Sequence, residues 1–278
     1  MGAEVDSLYK SLPKAYALLS GQDPMYRKMT QPVSTYECWR KDILVPGSVR
    51  VIMTENGKPR THLESQVHSR ACSAGGMFAM GGTLFNIQIH RQIAHNLVDG
   101  CVWAHNAMPL DDPMRIANNL SVERMALEAR SLQMDNQPTR PNPNLDVEKY
   151  IREHHVPKGF IAIPDTRYNL RPETVESIFV LYRVTGREDL LDIAWEIFEK
   201  IQNATETSEA NAAIVDVTTN GEPVHNDSME SYWMAQIPKY FYLMFSPPDI
   251  LSLDEYVFNS GGHPLKLSEH TEAGFEPQ

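Results

Sequence analysis

Apolar residues recur along much of this chain three or four positions apart, which is the spacing of an amphipathic helix. Five stretches follow this spacing: Leu8, Leu12, Ala15, Tyr16 and Leu19; Ile89, Ile93, Leu97 and Cys101; Val175, Ile178, Phe179 and Tyr182; Leu190, Ile193, Ala194, Ile197, Phe198 and Ile201; and Met229, Trp233, Gln236, Ile237, Tyr240, Phe241 and Met244. Strand patterns are few and brief, and the clearest covers residues 48–53. The pattern predicts a protein of the all-α class.

Several residues mark where these helices begin and end. Gly21 closes the first helix, and Gly186 closes the third. Pro172 fits the first position of the third helix, where a missing N–H costs nothing. Asp227, with Glu230 three residues later, resembles a capping box at the start of the fifth helix.

The segments between the helices differ in character. Residues 75–82 are small and apolar and lack a Lys-Ser/Thr pair, so we expect close helix packing there and not phosphate binding. Residues 108–157 are polar and punctuated by proline, which is typical of a long loop or insertion. Pro238 lies inside the fifth helix and is expected to kink it. Residues 1–266 are expected to form one unit, followed by a disordered tail at residues 267–278.

Composition and charge argue against nucleic acid and membranes as binding partners. The chain has 278 residues and a formal net charge of −11, which makes nucleic acid an unsuitable partner, and no basic run indicates an anionic membrane. No stretch approaches the roughly 20 apolar residues of a membrane-spanning helix, so no transmembrane segment is predicted. The acidic first residues do not resemble a signal peptide.

Three cysteines, Cys38, Cys72 and Cys101, are too few for a disulfide scaffold and lack the spacing of metal ligands. One bridge with one free thiol is possible, and so are three reduced, buried cysteines. On the residues alone, the second arrangement is favoured.

The segment that carries the most chemistry is Asn169-Leu170-Arg171-Pro172-Glu173-Thr174-Val175-Glu176-Ser177. Glu173 and Glu176 lie three residues apart, on neighbouring parts of one helix surface. They could simply complement the positive end of the helix. They could also serve a functional site beside Arg171.

Six blocks in one order resemble glycoside hydrolase family 47, the class I α-1,2-mannosidases. They are residues 2–7 (GAEVDS), 75–81 (GGMFAMG), 99–104 (DGCVWA), 170–177 (LRPETVES), 227–231 (DSMES) and 251–265. The resemblance implies an (α/α)7 barrel, in which inner and outer helices alternate around a calcium ion. It implies an inverting glycosidase that trims terminal α-1,2-linked mannose from mannose-rich N-linked oligosaccharides. It also implies a secretory compartment, the endoplasmic reticulum or Golgi, or secretion.

The resemblance assigns roles to individual residues. Asp6 matches a catalytic aspartate, and Glu173 matches the carboxylate proposed as general base on the attacking water. Arg171 and Glu230 match residues that line the sugar and calcium site. Ser260 stands where the family has a calcium-binding threonine, and it offers the same two oxygens to a Ca²⁺ ion. Two carboxyl groups roughly 6.5–9.5 Å apart leave room for the water that inversion requires.

The resemblance also changes the interpretation of the cysteines. In the family, cysteines at the positions of Cys72 and Cys101 form a disulfide, and the separation between the two here fits that pairing. This pairing favours an oxidising compartment and leaves Cys38 unpaired.

The sequence departs from the family pattern in two ways. The resemblance covers only the C-terminal part of the catalytic domain, so residues 1–266 are expected to form an incomplete barrel without its N-terminal helices and one glutamate. Individual side chains also differ, and they are Lys10, Ser69, Ser73, Met114, Gln236, Pro238 and Gly261. Several such changes together predict that the activity of this chain is weak or absent.

Three hypotheses follow. The first is a calcium-dependent α-1,2-mannosidase, or the C-terminal portion of one. The second is a non-catalytic relative that binds mannose-rich glycans or a partner. A helical structural protein without a sugar site would require the six blocks to be coincidence.

Overall fold

The computed structural model describes residues 6–29, 35–37, 44–46, 48–54, 56–64, 66–107, 119–122, 160–219 and 221–268. Seven α-helices lie in these residues: α1 (Asp6–Leu18), α2 (Pro24–Met29), α3 (Ser73–Leu84), α4 (Gln88–Asn106), α5 (Glu173–Thr185), α6 (Asp189–Thr205) and α7 (Ser231–Met244). A 3-10 turn, Ser69–Cys72, leads into α3. The described part of the chain is helix-rich, and the predicted all-α class is confirmed.

Short antiparallel strands lie beside the helices. They are β1 (Thr35–Glu37), β2 (Leu44–Pro46), β3 (Ser48–Met53), β4 (Pro59–Glu64), β5 (Gln66–His68), β6 (Asn119–Val122), β7 (Phe160–Asp165), β8 (Ala213–Ile214), β9 (His225–Asn226), β10 (Tyr256–Phe258) and β11 (Pro264–Lys266). They pair as β1-β2, β3-β4, β5-β6-β7, β8-β9 and β10-β11. The strand predicted at residues 48–53 is therefore confirmed as one arm of a hairpin.

Four helices form an inner row, and two others pack behind it. Along the row, α1 contacts α3, α3 contacts α5, and α5 contacts α7. Behind it, α4 packs against α3 and α5, while α6 packs against α5 and α7. This alternation of inner and outer helices is the arrangement that the α/α barrel prediction requires.

The glycine-rich helix α3 allows the closest packing in the core. Every residue from Ser73 to Gly82 is buried. The backbone N–H of Gly76 donates a 2.9 Å hydrogen bond to Ser177 Oγ, and the Ser177 hydroxyl donates to the Cys72 carbonyl at 2.6 Å. A Cβ on Gly76 would lie 3.3 Å from the Ser177 Cα. Close helix packing, as predicted from the sequence, is what the small residues provide.

The C-terminal end of α5 agrees with the sequence prediction, whereas the starts of α5 and α7 differ from it. Pro172 is the N-cap of α5 and not its first helical residue. Gly186 ends α5 in the left-handed conformation, with φ of 68°. The fifth predicted helix starts at Ser231 instead of near Asp227. Glu230 is its N-cap but makes no side-chain capping hydrogen bond, so the predicted capping box is wrong. The backbone of Glu230 is extended, and its carbonyl accepts from the Trp233 N–H instead.

The predicted apolar face of α4 also needs a correction. Leu97 and Cys101 are buried, but Ile89 is 61% exposed. His90 and Ala94 are buried in its place, because the helix presents a face shifted by one residue to α3. No helix among the described residues combines the length and apolarity that crossing a bilayer would require.

Cys72 and Cys101 form a disulfide, with their Cα atoms 5.9 Å apart. The bridge joins the 3-10 turn before α3 to the middle of α4. The pairing implied by the family resemblance is confirmed, and the preference for three reduced cysteines is wrong. Cys38 and residues 269–278 of the predicted disordered tail (267–278) lie outside the described residues. Leu267, the first residue of that tail, donates its backbone N–H to the Glu255 carbonyl at 2.7 Å.

The buried His105 should make this fold sensitive to mild acid. Both of its ring nitrogens lack a hydrogen-bond partner, and only 1% of the residue is exposed. Burial, helped by the charge of Lys200, lowers the pKa of His105 from 6.5 to about 3. Because the folded-state pKa lies below the unfolded value, the stabilisation is present above pH 6.5 and is lost as the pH falls toward 3. Between pH 7 and pH 5 this amounts to roughly 2 kcal/mol of unfolding free energy.

Urea unfolding at both pH values checks this expectation. The variant His105→Leu should show a smaller loss of unfolding free energy between pH 7 and pH 5 than the unmodified chain. His263, which is exposed, supplies the control variant His263→Gln. Equal pH dependence in His105→Leu and the unmodified chain would contradict the assignment.

Candidate active site

One cavity of about 280 Å³ lies beside the starts of α1, α5 and α7 and the 3-10 turn that precedes α3. Nine residues line it: Ser7, Lys10, Arg70, Arg171, Pro172, Glu173, Tyr232, Gln236 and Ser260. They come from α1, the turn before α3, the start of α5, the start of α7 and the loop after β10. Helix N-termini carry a partial positive charge, so the starts of these three helices favour oxygen-rich or negatively charged groups in the space beside them.

A strained turn places Arg171 over the cavity. Leu170 is buried and has a φ of 54°, a left-handed conformation that a leucine rarely adopts. Arg171 follows it and stacks on the Tyr232 ring, with 4.8 Å between the guanidinium carbon and the ring centre. The Tyr232 hydroxyl donates to the Asn169 carbonyl at 2.7 Å. The turn and α7 therefore hold the guanidinium group in a fixed position.

Glu173 is a buried carboxyl group with an oxygen that the fold leaves unpaired. Only 6% of the residue is exposed, and Oε2 has no hydrogen-bond partner. Its Oε1 lies 4.0 Å from Arg171 Nη1. Burial raises the pKa of Glu173, although the charges of Lys10 and Arg171 oppose that shift. A carboxylate with a raised pKa is a stronger base than an exposed one, and Glu173 is one of the residues that line the cavity.

Glu176, one turn further along α5, lies in a buried ion-pair cluster with α1. Lys10 Nζ is 2.9 Å from Glu176 Oε2, and Lys14 Nζ is 2.8 Å from Glu176 Oε1. Burial acts to raise the pKa of Glu176, but the two ammonium groups outweigh it and lower that pKa to about 2. Glu176 is therefore ionised at neutral pH, with both of its oxygens bound to lysine.

Ser260 and Gln236 form the opposite wall. Asn259 Oδ1 accepts from the backbone N–H groups of Gly261 and His263, which fixes the loop that carries Ser260. Gly262 has a φ of 74°, and a Cβ there would lie 2.6 Å from Gln236 Cγ. Gln236 is 4% exposed, and its Oε1 has no hydrogen-bond partner. Gln236 and Glu173, which both line the cavity, therefore each carry a buried oxygen without a hydrogen-bond partner among the described residues.

The structure brings together most of the residues that the resemblance singled out. Arg171, Glu173 and Ser260 line the same cavity. Glu230 is exposed and is not among the residues that line it. Burial, with a smaller contribution from the charge of Glu230, raises the pKa of Tyr232 to about 12. The backbone of Asp6 begins α1, one residue before Ser7, while its side chain lies outside the described residues. The functional roles of all five residues remain predictions.

The described lining supplies few of the oxygen ligands that a calcium ion prefers. Calcium takes six to eight oxygen ligands, with carboxylates prominent among them. Among the described lining residues, Glu173 supplies one carboxyl group, whereas Lys10, Arg70 and Arg171 have basic side chains. No group of three or more His, Cys, Asp or Glu side chains among the described residues could hold a metal. The calcium site at Ser260 stays a prediction, because the side chain of Asp6, next to the lining residue Ser7, is not among those described.

Sequence reasoning did not find the roles of Lys14, Arg70 and Glu176. Glu176 was open to interpretation as a complement to the helix dipole, and Lys10 was noted only as a departure from the family. The spacing of Lys10 and Lys14 was an available signal, because residues four apart share one face of a helix. Two lysines on one face of an apolar helix indicate a buried acid opposite them, although not which acid.

Comparisons with known proteins place these features in a family. The model of glycosyl hydrolase family 47 matches residues 1–267. A mannosyl-oligosaccharide 1,2-alpha-mannosidase from Candida albicans is 29% identical over 95% of this chain and 46% of its own length. An endoplasmic reticulum mannosyl-oligosaccharide 1,2-alpha-mannosidase from Homo sapiens is 45% identical over 37% of this chain and 15% of its own length.

The fold agrees with the sequence match. The structure of an alpha-1,2-mannosidase from Trichoderma reesei superposes with a TM-score of 0.72 and 24% identity, covering 95% of this chain and 51% of that one. The chain thus spans about half the length of the Candida albicans relative and of this structure. The family match over nearly the whole chain, with a helical architecture like that of a family structure, shows that the chain belongs to glycosyl hydrolase family 47.

Proposed function

We propose that this chain carries the sugar site of an α-1,2-mannosidase that hydrolyses terminal mannose from mannose-rich N-linked oligosaccharides. The observation that carries the proposal is Glu173, a buried carboxyl group with an unpaired oxygen on a cavity shared with Arg171. The names of the relatives, which are mannosyl-oligosaccharide mannosidases, support the same substrate class.

In the proposed reaction Glu173 acts as general base. It takes a proton from a water molecule that attacks the anomeric carbon of the terminal mannose. The glycosidic bond breaks with inversion while a second carboxyl group gives a proton to the oxygen of the departing sugar. Arg171 donates hydrogen bonds to sugar oxygens, and its stacking on Tyr232 keeps the guanidinium group oriented. Asp6 is the second carboxyl candidate, because the next residue, Ser7, lines the cavity.

The proposed compartment is the secretory pathway. The Cys72–Cys101 disulfide is typical of proteins that fold in an oxidising environment. The human relative is named as an endoplasmic reticulum protein. Both observations support the same location for this chain.

A second candidate function is glycan binding without hydrolysis. The observation that favours it is Lys10, whose ammonium group lines the cavity near Glu173. A nearby positive charge stabilises the ionised form of a carboxyl group and so opposes the raised pKa of Glu173. Lys10 and Gln236, two of the residues that depart from the family pattern, both line this cavity, in line with the weak or absent activity that the sequence predicts.

The variant Glu173→Gln separates the two functions. It keeps the shape of the side chain and removes the base, so mannose release from an α-1,2-linked mannobiose should fall at least about 100-fold. Glu196→Gln, which alters an exposed carboxylate on α6, is the control and should not change the rate. Release should also decline at acid pH, with a midpoint above 4.5, because burial raises the pKa of Glu173 above that ordinary value.

Mannobiose binding, measured by titration calorimetry on the full chain, completes the test. Release that Glu173→Gln abolishes supports the hydrolase. Binding without release supports the second function. A folded chain that neither binds nor cleaves mannobiose contradicts both.

A further inference from the structure

Three Asn-X-Ser/Thr sequences, the acceptor pattern for N-linked glycans, occur in the chain. They begin at Asn119, Asn203 and Asn226, and none has proline in its second position. The side chains of the first sequence, in β6, lie outside the described residues. The asparagines of the other two are exposed, so the surroundings of each decide whether it can accept a bulky sugar.

The surroundings of Asn203 are unfavourable for glycan attachment. Asn203 lies in the last turn of α6, and Thr205, which supplies the hydroxyl of the acceptor pattern, is completely buried. This hydroxyl donates to the Ile201 carbonyl at 2.8 Å and accepts from the Asn211 side chain at 3.0 Å. Formation of α6 therefore makes the hydroxyl inaccessible to a modifying enzyme.

Asn226 lies on an exposed strand instead. It belongs to β9, which pairs with β8, and both residues of β9 are exposed. Successive side chains of a strand point to opposite faces. The His225 ring bonds to the Ala204 carbonyl of α6 at 2.9 Å, so the Asn226 carboxamide points away from that helix. Among the described residues, neither this carboxamide nor the Ser228 hydroxyl makes a hydrogen bond.

Exposed apolar side chains lie around Asn226. Val224 on one side of it is 60% exposed, and Met229 on the other side is 43% exposed. Val215, whose backbone N–H donates to the Val224 carbonyl at 2.9 Å, is 44% exposed. A hydrophilic glycan on the same hairpin would shield these apolar side chains from other molecules.

We propose that Asn226 is an N-glycosylation site of this chain in the endoplasmic reticulum, and that Asn203 is not. In the reaction, Asn226 Nδ2 forms a bond to the anomeric carbon of an oligosaccharide carried on a lipid diphosphate. The bond between that carbon and the phosphate oxygen breaks, the lipid diphosphate departs, and the amide gives up one proton. The inference rests on the secretory compartment of the proposed function and not on mannose hydrolysis.

Site-resolved mass spectrometry tests the proposal on the full chain, directed into the endoplasmic reticulum of cultured eukaryotic cells by an added signal peptide. Peptide-N-glycosidase in heavy-oxygen water should convert Asn226 to labelled aspartate in most molecules, while Asn203 in the same sample stays unconverted. Ser228→Ala removes the acceptor pattern from an accessible position and should abolish the conversion at Asn226. Ser228→Thr restores the pattern and should retain it.

The outcomes separate this inference from the proposed function. A chain with the Cys72–Cys101 disulfide formed, in which Asn226 is converted no more than in Ser228→Ala, would overturn the inference and leave the mannosidase proposal standing. Conversion of Asn203 in place of Asn226 would overturn it as well. A chain that is glycosylated at Asn226 but neither binds nor cleaves mannobiose would contradict the proposed function alone.

Discussion

Glu176→Ala is expected to lower the free energy of unfolding by about 3–5 kcal/mol, because it leaves two buried ammonium groups without their shared carboxylate. Lys10 and Lys14 have side-chain exposures of only 6% and 9%, so water cannot replace the lost partner. Burial already lowers the pKa of Lys14, which shows how unfavourable its charge is in this environment. Guanidinium unfolding followed by circular dichroism measures the loss.

The matched control is Glu196→Ala on α6. Its carboxylate lies 3.9 Å from Lys200, and both side chains are exposed, so the change should alter stability by less than about 1 kcal/mol. An unfolding midpoint for Glu176→Ala equal to that of the control would contradict the buried cluster. Replacing Lys10, Lys14 and Glu176 together by methionine should recover much of the lost stability, since an apolar cluster of similar size removes every unpaired charge.

The same carboxylate predicts a second pH effect, separate from that of His105. The pKa of Glu176 in the folded state is about 2, below the ordinary value of 4.5. Its contribution is therefore full above pH 4.5 and is lost as the pH falls toward 2. The effect of His105 overlaps this range down to about pH 3, so the measurement is made in the His105→Leu background, where Glu176→Ala should lack the pH dependence between pH 4.5 and pH 2.

The helices were predictable from sequence where burial follows the local pattern. The third predicted helix has Val175, Ile178 and Phe179 in the core, and Gly186 ends it as expected. Helix α7 began later than predicted because Asp227 and Glu230 have the residue types of a capping box without its geometry. Composition cannot distinguish a capping side chain from one in an extended segment before the helix.

The cavity was only partly predictable, because its charge depends on contacts between distant segments. Arg171 and Glu173 were identified from one short motif, and the cavity contains both. The ion pair between Lys10 and Glu176 joins residues 166 positions apart. Such a pair depends on how α1 packs against the other helices of the inner row. The periodicity of apolar residues within α1 carries no information on which acid pairs with Lys10.

Removing the disulfide should have the second large effect. The double variant Cys72→Ala/Cys101→Ala is expected to lose about 3–4 kcal/mol of unfolding free energy, because the bridge closes a loop between residues 29 apart and restricts the unfolded chain. Both cysteines are buried, so alanine adds no unpaired polar group to the core. Guanidinium unfolding of the variant measures the loss, and the reduced unmodified chain should match it.

The disulfide also bears on the cavity, since Arg70 lies two residues before Cys72 in the same 3-10 turn. Without the bridge, the turn is still held by the Ser177 hydrogen bond to the Cys72 carbonyl, so the folded variant should keep its affinity for mannobiose while unfolding at lower denaturant concentration. An unchanged unfolding midpoint would contradict the stabilising role of the bridge. A fall in affinity at full folding would mean that the bridge also orients Arg70, because a loss confined to the unfolded state leaves the folded cavity unaltered.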